Sequence, residues 1–237
     1  MRLIRRLDRG HVTRTVELRS QERAIQEYRK LIQEDLLFQE FNEFLKQFES
    51  FSRSRHLSDL VALFFLGHDK CFLEVGASYP EVASDTFALE RYFGWSGIQI
   101  EPSPKEAELL RCHRKSIVIE AALVPSTQRE SNVKLNPIWG TTGGFLGTAV
   151  KSVTWEEIAK RYGMSFDALF MDVEGNEFSL LDDKEFSDFG FNFLSIERIW
   201  KHESIKRLLE TRGFINIWSE VSGYESWWIS ESLRQDR

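Results

Sequence analysis

The sequence predicts an α/β protein, in which a mainly parallel sheet of seven strands carries helices on both faces. The first observation is that strand and helix patterns alternate regularly from about residue 70 onward. Such alternation is typical of parallel sheets, because each crossover helix packs back onto the sheet. The second is a buried strand that ends in a tight glycine turn, Cys71–Ser78, followed by a helix and a second buried strand that ends in an acid, Gly97–Pro102.

Length and composition fit one large domain with an appendage. The chain has 237 residues, of which 42% are hydrophobic and 29% are charged, as in ordinary globular proteins. Its net charge of −6 argues against a general nucleic-acid binder. The two cysteines make no disulfide framework, the five histidines lack zinc-ligand spacing, and the longest apolar run is too short to span a bilayer. We therefore expect a cytoplasmic protein without a membrane span.

Residues 1–69 are expected to form a helical extension of a domain at 70–237. Residues 1–20 carry six arginines against two acids, a local charge of +4, which fits a solvated arm or a docking segment for an acidic surface. Residues 21–54 repeat apolar side chains at helical spacing, the pattern of an amphipathic helix or helix pair. That apolar face packs either on the chain's own domain or against a second copy in a homodimer. Residues 57–67 predict a short apolar helix.

Three strands and two helices are predicted between residues 70 and 121. Ser84 or Asp85 is expected to cap the first helix, and Pro104 suits the first turn of the second, where its missing N–H costs nothing. The predicted strands are 70–76, 97–101 and 116–121, and the helices are 84–94 and a segment that begins at Ser103.

The alternation is interrupted at residues 125–150, which are rich in Ser, Thr, Asn and Gly, and then resumes. Thr154 and Glu157 form a capping box for a helix that ends near Gly163. Trp227 and Trp228 fall on an alternating strand, so one ring is expected in the core and the other outside. The remaining predicted strands are 168–172, 191–197, 214–219 and 226–229, and the helices are 177–181 and 204–212.

Polar groups collect where the predicted strands end, which is where open parallel sheets bind ligands. Small residues such as Gly76 let the backbone approach a ligand, and a carboxylate such as Glu101, 25 residues further on, takes two ribose hydroxyls. The turn has one glycine and no lysine of a phosphate-binding loop follows it. This favours S-adenosylmethionine over NAD or ATP. The strand ends read Glu74-Val75-Gly76-Ala77-Ser78, Glu101-Pro102, Ala121-Ala122, Asp172-Val173-Glu174-Gly175-Asn176-Glu177 and Glu197-Arg198.

With these motifs the chain resembles the FkbM-type S-adenosylmethionine-dependent methyltransferases over about residues 70–220. The resemblance implies a Rossmann-like class I methyltransferase fold and transfer of a methyl group to a hydroxyl of a sugar or related small metabolite. One stretch departs from the family, because Tyr79–Val82 stand where a second glycine is usual. The motifs are Phe72–Ser78, Gly94–Pro104, Phe166–Glu177 and Ser195–Glu197.

Strand ends and resemblance together give each candidate residue a role. Asp172 and Glu174 face the reacting centre, where either is the base that takes the hydroxyl proton, or both hold a divalent cation that orients the acceptor. Glu197 is a candidate on the substrate side. Glu101 takes the ribose hydroxyls. The candidate cofactor-binding residues are Glu74, Gly76, Ala77, Ser78, Glu101, Pro102, Ala121, Ala122 and Asp172.

Two other functions compete with this interpretation. A scaffold or binding protein that has lost catalysis is favoured by the altered Tyr79–Val82 stretch and by the long N-terminal extension. A nucleic-acid methyltransferase is supported by the arginine-rich arm alone. The glycine-rich loop 140–147 is predicted to be a lid over the acceptor, with Trp139 or Phe145 stacking on a sugar face.

Overall fold

Strands and helices alternate along the chain, in the order that the sequence predicts. The computed structural model describes residues 26–129, 132–135, 148–198 and 201–235, of which 26–34 are helical. The α-helices after residue 35 are α1 (Leu36–Phe48), α2 (Ser58–Leu66), α3 (Phe87–Tyr92), α4 (Pro104–His113), α5 (Trp155–Tyr162), α6 (Glu177–Leu181), α7 (His202–Thr211) and α8 (Glu231–Gln235). The strands are β1 (Cys71–Val75), β2 (Ser96–Ile100), β3 (Ile117–Ile119), β4 (Ala122–Leu123), β5 (Asn132–Leu135), β6 (Thr148–Val153), β7 (Ala168–Met171), β8 (Phe193–Glu197), β9 (Phe214–Ile217) and β10 (Glu225–Ser230).

Seven of these strands form one sheet in the order β3-β2-β1-β7-β8-β10-β9. Neighbours from β3 to β8 pair in parallel, and β10 pairs antiparallel with both β8 and β9. The predicted seven-stranded, mainly parallel sheet is therefore confirmed, and its last two strands, β9 and β10, form an antiparallel hairpin at its edge. Because β1 and β7 are central neighbours, their carboxyl ends meet in the middle of one sheet edge.

Helices bury both faces of this sheet, so its central strands carry apolar side chains in both directions. One face packs against α1, α2 and α3, and the other against α5, α6 and α7. Trp227 and Trp228 point to opposite faces as alternation requires, but both are fully buried. The expectation that one of the two rings faces outward is wrong, because helices cover the second face of the sheet too. The first face carries Phe72, Phe170, Phe193 and Trp227, and the second carries Leu73, Leu169, Leu194 and Trp228.

The N-terminal helices are part of the same hydrophobic core. Asp35 caps α1 by accepting from the Phe38 backbone N–H, and it also accepts from the Trp218 indole at 3.2 Å. Phe41, fully buried on the next turn, stacks on Trp218 with ring centroids 4.9 Å apart. The apolar face of α1 thus packs on the chain's own domain, the first of the two alternatives. Residues 1–20, for which a basic arm is expected, lie outside the described residues.

A second, three-stranded sheet follows β3 in the order β4-β6-β5. β4 runs parallel to β6, whereas β5 pairs antiparallel with it. The sequence predicts irregular structure at 125–150, but the structure has strand β5 and the start of strand β6 in this segment. The lid expected at 140–147, with Trp139 and Phe145, lies outside the described residues.

The start of α3 also differs from the expectation. The helix begins at Phe87, and its N-cap residue is Thr86 rather than Ser84 or Asp85. The Ser84 hydroxyl accepts from the Phe87 N–H, the first of the helix, and from the Arg114 guanidinium, while Asp85 lines a pocket. By contrast, the capping box of Thr154 and Glu157 is present as predicted.

Truncating Phe41 tests whether the N-terminal extension is part of the domain. Phe41→Ala should lower the free energy of unfolding by about 3–5 kcal/mol, because a fully buried ring between Trp218, Phe44 and Phe64 is lost. Urea unfolding measures the change. Leu36→Ala on the same helix is the control, since Leu36 is 75% exposed, and it should stay within about 0.5 kcal/mol of wild type. Equal stabilities of the two variants would contradict the packing.

Candidate active site

A pocket of about 800 Å³ lies at the carboxyl ends of the central strands. Val75 of β1 is in register with Ile100 of β2 and Met171 of β7, and Met171 pairs with Ile196 of β8. The residues that follow these positions therefore leave the sheet side by side. All nine predicted cofactor residues, and also Glu174 and Glu197, line this pocket.

The glycine turn after β1 presses against the end of β7. Gly76 has a φ of +83°, and a Cβ added there would lie 1.8 Å from the backbone oxygen of Asp172. The Gly76 and Ala77 N–H groups both point to the Ile100 carbonyl, at 2.9 and 3.4 Å. Ser78 also has a left-handed φ of 52°. Glycine is needed at position 76 because any side chain would separate the two strand ends.

Glu101 is held in place by two backbone N–H groups. Ser78 donates to one carboxylate oxygen and Ser103 to the other, each at 2.8 Å. Burial raises the pKa of Glu101, and these two hydrogen bonds oppose that shift. One lone pair of each oxygen is used in this way, so each oxygen can still accept a ligand hydroxyl. The carboxylate is therefore preoriented at the end of β2.

Glu74 lies deeper and belongs to a buried polar network. Thr86 and the Gln99 amide donate to its Oε2 at 2.6 and 2.5 Å. The buried Arg114 donates to Thr86 at 2.8 Å and pairs with Glu90 at 3.2 Å. Burial raises the pKa of Glu74, and the Arg114 charge opposes the shift. Glu74 lines the pocket, but the hydrogen bonds that position it come from the protein.

The turn after β7 carries three acids in different positions. Asp172 and Glu174 are exposed to the pocket, and Glu174 has a left-handed φ of 54°. Glu177 is 1% exposed and accepts from the N–H groups of Val173 and Gly175, both at 3.1 Å. Glu177 therefore shapes the turn that presents the other two carboxyls.

A row of carboxyl groups continues from this turn across the sheet edge. Glu197 follows Asp172 in the row, and Glu225 of β10 pairs directly with Glu197. Burial, and then the charges of Asp172 and Glu174, raise the pKa of Glu197 to about 9. Although Asp172 is exposed to the pocket, desolvation by the surrounding protein raises its pKa as well, while the Glu197 carboxyl hydrogen bond and the Arg55 charge oppose this. Asp172 is thus the more readily ionised carboxyl of the pair.

The wall of the pocket beyond these acids, here called the far wall, consists of Arg55, His56, Tyr224 and Glu225. Asp59 organises its first half by accepting from the Ser52 hydroxyl and from three backbone N–H groups. Arg198 organises the second half, because it donates to the carbonyls of Ser219 and Gly223 rather than pairing with Glu197.

Several pocket residues carry no local signal in the sequence. The far wall comes from the extension and from the last hairpin, and nothing local in the sequence links these segments. Glu225 is found only from its register with Glu197, and Asp85 has the residue type of a helix cap. Glu177 lies in a motif of the family, but the pattern alone does not indicate that it shapes the turn after β7.

This sheet order, with a glycine turn and an acid at adjacent strand ends over one pocket, defines a Rossmann-like class I methyltransferase. The sequence profile described as the FkbM methyltransferase domain matches residues 74–221, more than half of the chain. The chain belongs to the FkbM methyltransferase family and is an S-adenosylmethionine-dependent methyltransferase.

Several solved structures are similar to this chain. The FkbM methyltransferase from Methylobacillus flagellatus KT is 13% identical, with coverage of 87% of this chain and 59% of that one and a TM-score of 0.46. The O-methyltransferase from Bacillus cereus in complex with SAH is 12% identical, with coverage of 85% and 94% and a TM-score of 0.42. The Methanococcus jannaschii fibrillarin pre-rRNA processing protein is 16% identical, with coverage of 69% and 67% and a TM-score of 0.42. The comparison with curated proteins found no match.

Gly76→Ala tests the contact between the two central strand ends. We expect the free energy of unfolding to fall by at least about 1–3 kcal/mol, because alanine is strained at this φ and its Cβ overlaps the Asp172 carbonyl. Chemical unfolding measures it. Gly190→Ala is the control, since no atom lies within 4 Å of its added Cβ, and a Gly76→Ala variant of equal stability would refute the contact.

His56→Phe tests the far wall through the pH dependence of stability. Burial, and then the charges of Arg55 and Arg198, lower the pKa of His56 from 6.5 to about 4. Because the unfolded chain binds this proton more tightly, the wild type should lose stability as pH falls from about 6.5 to about 4, by on the order of 3 kcal/mol from this group. Urea unfolding at pH 7.5 and 4.5 measures it. Relative to the wild type, the phenylalanine variant should be more stable at pH 4.5 than at pH 7.5. If the difference in unfolding free energy between the two proteins were the same at both pH values, the burial of His56 would be contradicted.

Proposed function

We propose that the enzyme transfers the methyl group of S-adenosylmethionine to a hydroxyl of a sugar or related small metabolite. The observation that carries this proposal is the row of carboxyl groups that begins at Asp172, beside the glycine turn where the methyl donor binds. A hydroxyl is a weak nucleophile until a base takes its proton, and these carboxyls supply such a base in the pocket. The carboxyl groups of the pocket therefore favour methyl transfer to an oxygen.

The cofactor lies along the ends of β1 and β2 in this proposal. Glu101 accepts from the two ribose hydroxyls, and Pro102 follows it at the mouth of the pocket. The backbone of Ala121 and Ala122 lies beside the adenine. Glu74, Gly76, Ala77 and Ser78 surround the methionine end, where Asp172 completes the site.

Methyl transfer is an in-line displacement at the sulfonium carbon. The acceptor oxygen must lie about 3 Å from the methyl group and in line with the bond that breaks. Asp172 is the first candidate for the base, because Glu197, whose pKa is raised to about 9, holds the proton of the pair and Asp172 is the carboxyl that ionises first. Glu174, which is exposed to the same pocket, is the second. A divalent cation held by Asp172 and a neighbouring acid is the alternative means of orienting the hydroxyl.

The far wall is the proposed acceptor side of the pocket. Tyr224 is 45% exposed, and its ring lies edge-on to His56 with centroids 5.9 Å apart. Such a ring offers one flat apolar surface to a sugar face. Among the described residues that line the pocket, carboxyls outnumber the one arginine, Arg55, and this excess of negative groups favours a neutral polyol over an anionic acceptor.

The proposed partner and location follow from the same features. A homodimer through residues 21–54 is less well supported than a monomer, because the apolar face of α1 is buried within the chain. A nucleic-acid acceptor is disfavoured by the acidic pocket. A cytoplasmic location fits the free cysteines Cys71 and Cys112. In the described part of the chain, no helix has both the length and the hydropathy to cross a bilayer.

Replacing Glu101 tests the cofactor site. Glu101→Ala should weaken binding of S-adenosylhomocysteine by at least about tenfold, because two hydrogen bonds to a charged oxygen are lost. Isothermal titration calorimetry measures the affinity. Glu108→Ala on the exposed face of α4 is the matched control and should bind as the wild type does. Thermal unfolding of each variant separates lost binding from lost folding, and a Glu101→Ala variant that binds normally would remove the ribose assignment.

Turnover distinguishes the enzyme from a scaffold that has lost catalysis. Radiolabelled S-adenosylmethionine, offered with a panel of neutral sugars and glycosides, should give labelled product with the wild type. Asp172→Asn, which keeps the shape of the side chain, should cut the rate by about 10²–10⁴-fold if Asp172 is the base, and by far more than it weakens S-adenosylhomocysteine binding. Binding of the cofactor without transfer to any acceptor would favour the scaffold.

A further inference from the structure

Three carboxyl groups from separate elements converge at the acidic end of the pocket. One oxygen each of Asp172, Glu177 and Glu197 lies within 4.8 Å of the other two. Asp172 follows β7, Glu177 begins α6, and Glu197 ends β8. Within the described ranges, no other group of three Asp, Glu, His or Cys side chains brings its ligand atoms this close together. Glu174, expected to share a cation with Asp172, is not part of it.

An unpaired oxygen points to an occupant of this group. Glu197 is 9% exposed, and no N–H or O–H donor among the described residues reaches its buried Oε2. Its sequence neighbour Arg198 is engaged with the carbonyls of Ser219 and Gly223. A buried carboxylate oxygen without a donor is costly unless a cation or a proton meets it.

We propose that Asp172, Glu177 and Glu197 bind one hard divalent cation, Mg²⁺ or Mn²⁺. Three carboxylate oxygens without histidine or cysteine are the donor set that these ions prefer. Oxygens bound to one such ion at about 2.1 Å lie within roughly 4.2 Å of each other, so the observed spacing needs only a small inward movement. The exposed Asp172 leaves the pocket side of the ion open to water and to a ligand.

The role of this ion in the reaction rests on the proposed function. An acceptor hydroxyl would replace a water on the ion, which fixes and polarises it beside the methyl donor. Asp172 is then a ligand, so Glu174 takes the hydroxyl proton. A lone pair of the acceptor oxygen forms the new O–CH₃ bond while the S–CH₃ bond breaks. The electron pair of the broken S–CH₃ bond stays on sulfur, which gives the neutral thioether of S-adenosylhomocysteine.

Direct metal binding tests the site without any cofactor or acceptor. Mn²⁺ is titrated into the full chain and the free ion is followed by electron paramagnetic resonance, with Mg²⁺ as competitor. We expect one saturable site per chain. Glu197→Gln and Glu177→Gln should each weaken it by at least about tenfold, since loss of even an outer-shell partner costs about 10–100-fold. Glu108→Gln, which removes one exposed charge outside the pocket, should bind as the wild type does.

Stability without metal excludes a folding artefact. Glu197→Gln keeps the shape of the side chain, and its amide can donate to Asp172 as the protonated Glu197 carboxyl does, so its melting temperature in a metal-free buffer should equal or exceed that of the wild type. Mn²⁺ should then raise the melting temperature of the wild type but not that of this variant.

Two results would overturn the site. They are the absence of Mn²⁺ binding at millimolar concentration, and equal Mn²⁺ affinity of Glu197→Gln and Glu108→Gln. In either case a proton shared between Asp172 and Glu197 is the occupant. Calorimetry with S-adenosylhomocysteine in metal-free buffer distinguishes failure of the two proposals. Binding of S-adenosylhomocysteine without binding of Mn²⁺ refutes only the cation site. Binding of Mn²⁺ without binding of S-adenosylhomocysteine refutes only the cofactor site.

Discussion

The close approach of Gly76 to the Asp172 carbonyl is the constraint on which the pocket depends. The missing Cβ lets the turns after β1 and β7 lie against each other, so parallel pairing continues to the last residue of both strands. Because β2 and β8 share this register, Glu101 and Glu197 leave the sheet at the same level. One backbone contact thereby aligns Glu101, the acid proposed to bind the ribose, on one side with a row of carboxyls on the other.

A buried network of charged and polar side chains beneath the pocket stabilises this alignment. The Arg114 side chain is fully buried, pairs with Glu90 and donates to Thr86, which in turn donates to Glu74. Removing one partner of a buried ion pair typically costs about 3–5 kcal/mol, because an uncompensated charge remains. Glu74 is therefore tied to the start of α3 and the end of α4. The turn above it rests on a polar network rather than on apolar packing.

Much of the fold could be predicted because its signals are local. Buried strands, the capping box of Thr154 and the acid of Glu101 can all be identified within a few residues of sequence. The errors and omissions concern contacts between distant segments. Whether Trp228 is covered depends on helices on the second face, and whether Glu225 meets Glu197 depends on the strand order. Asp85 has the residue type of a helix cap, but its side chain lines the pocket.

The pocket draws its two halves from different parts of the chain. The glycine turn, Glu101 and the turn after β7 lie within residues 74–221, which match the family profile, whereas Arg55, His56, Tyr224 and Glu225 lie outside it. Trimming the chain to the matched region would remove most of β1, all of β10 and the helices α1 and α2, so it would disrupt the hydrophobic core as well as open the pocket. Exchange of the two short segments that carry the far wall, within an otherwise complete chain, would instead leave the central strand ends in place and change only the far side of the pocket.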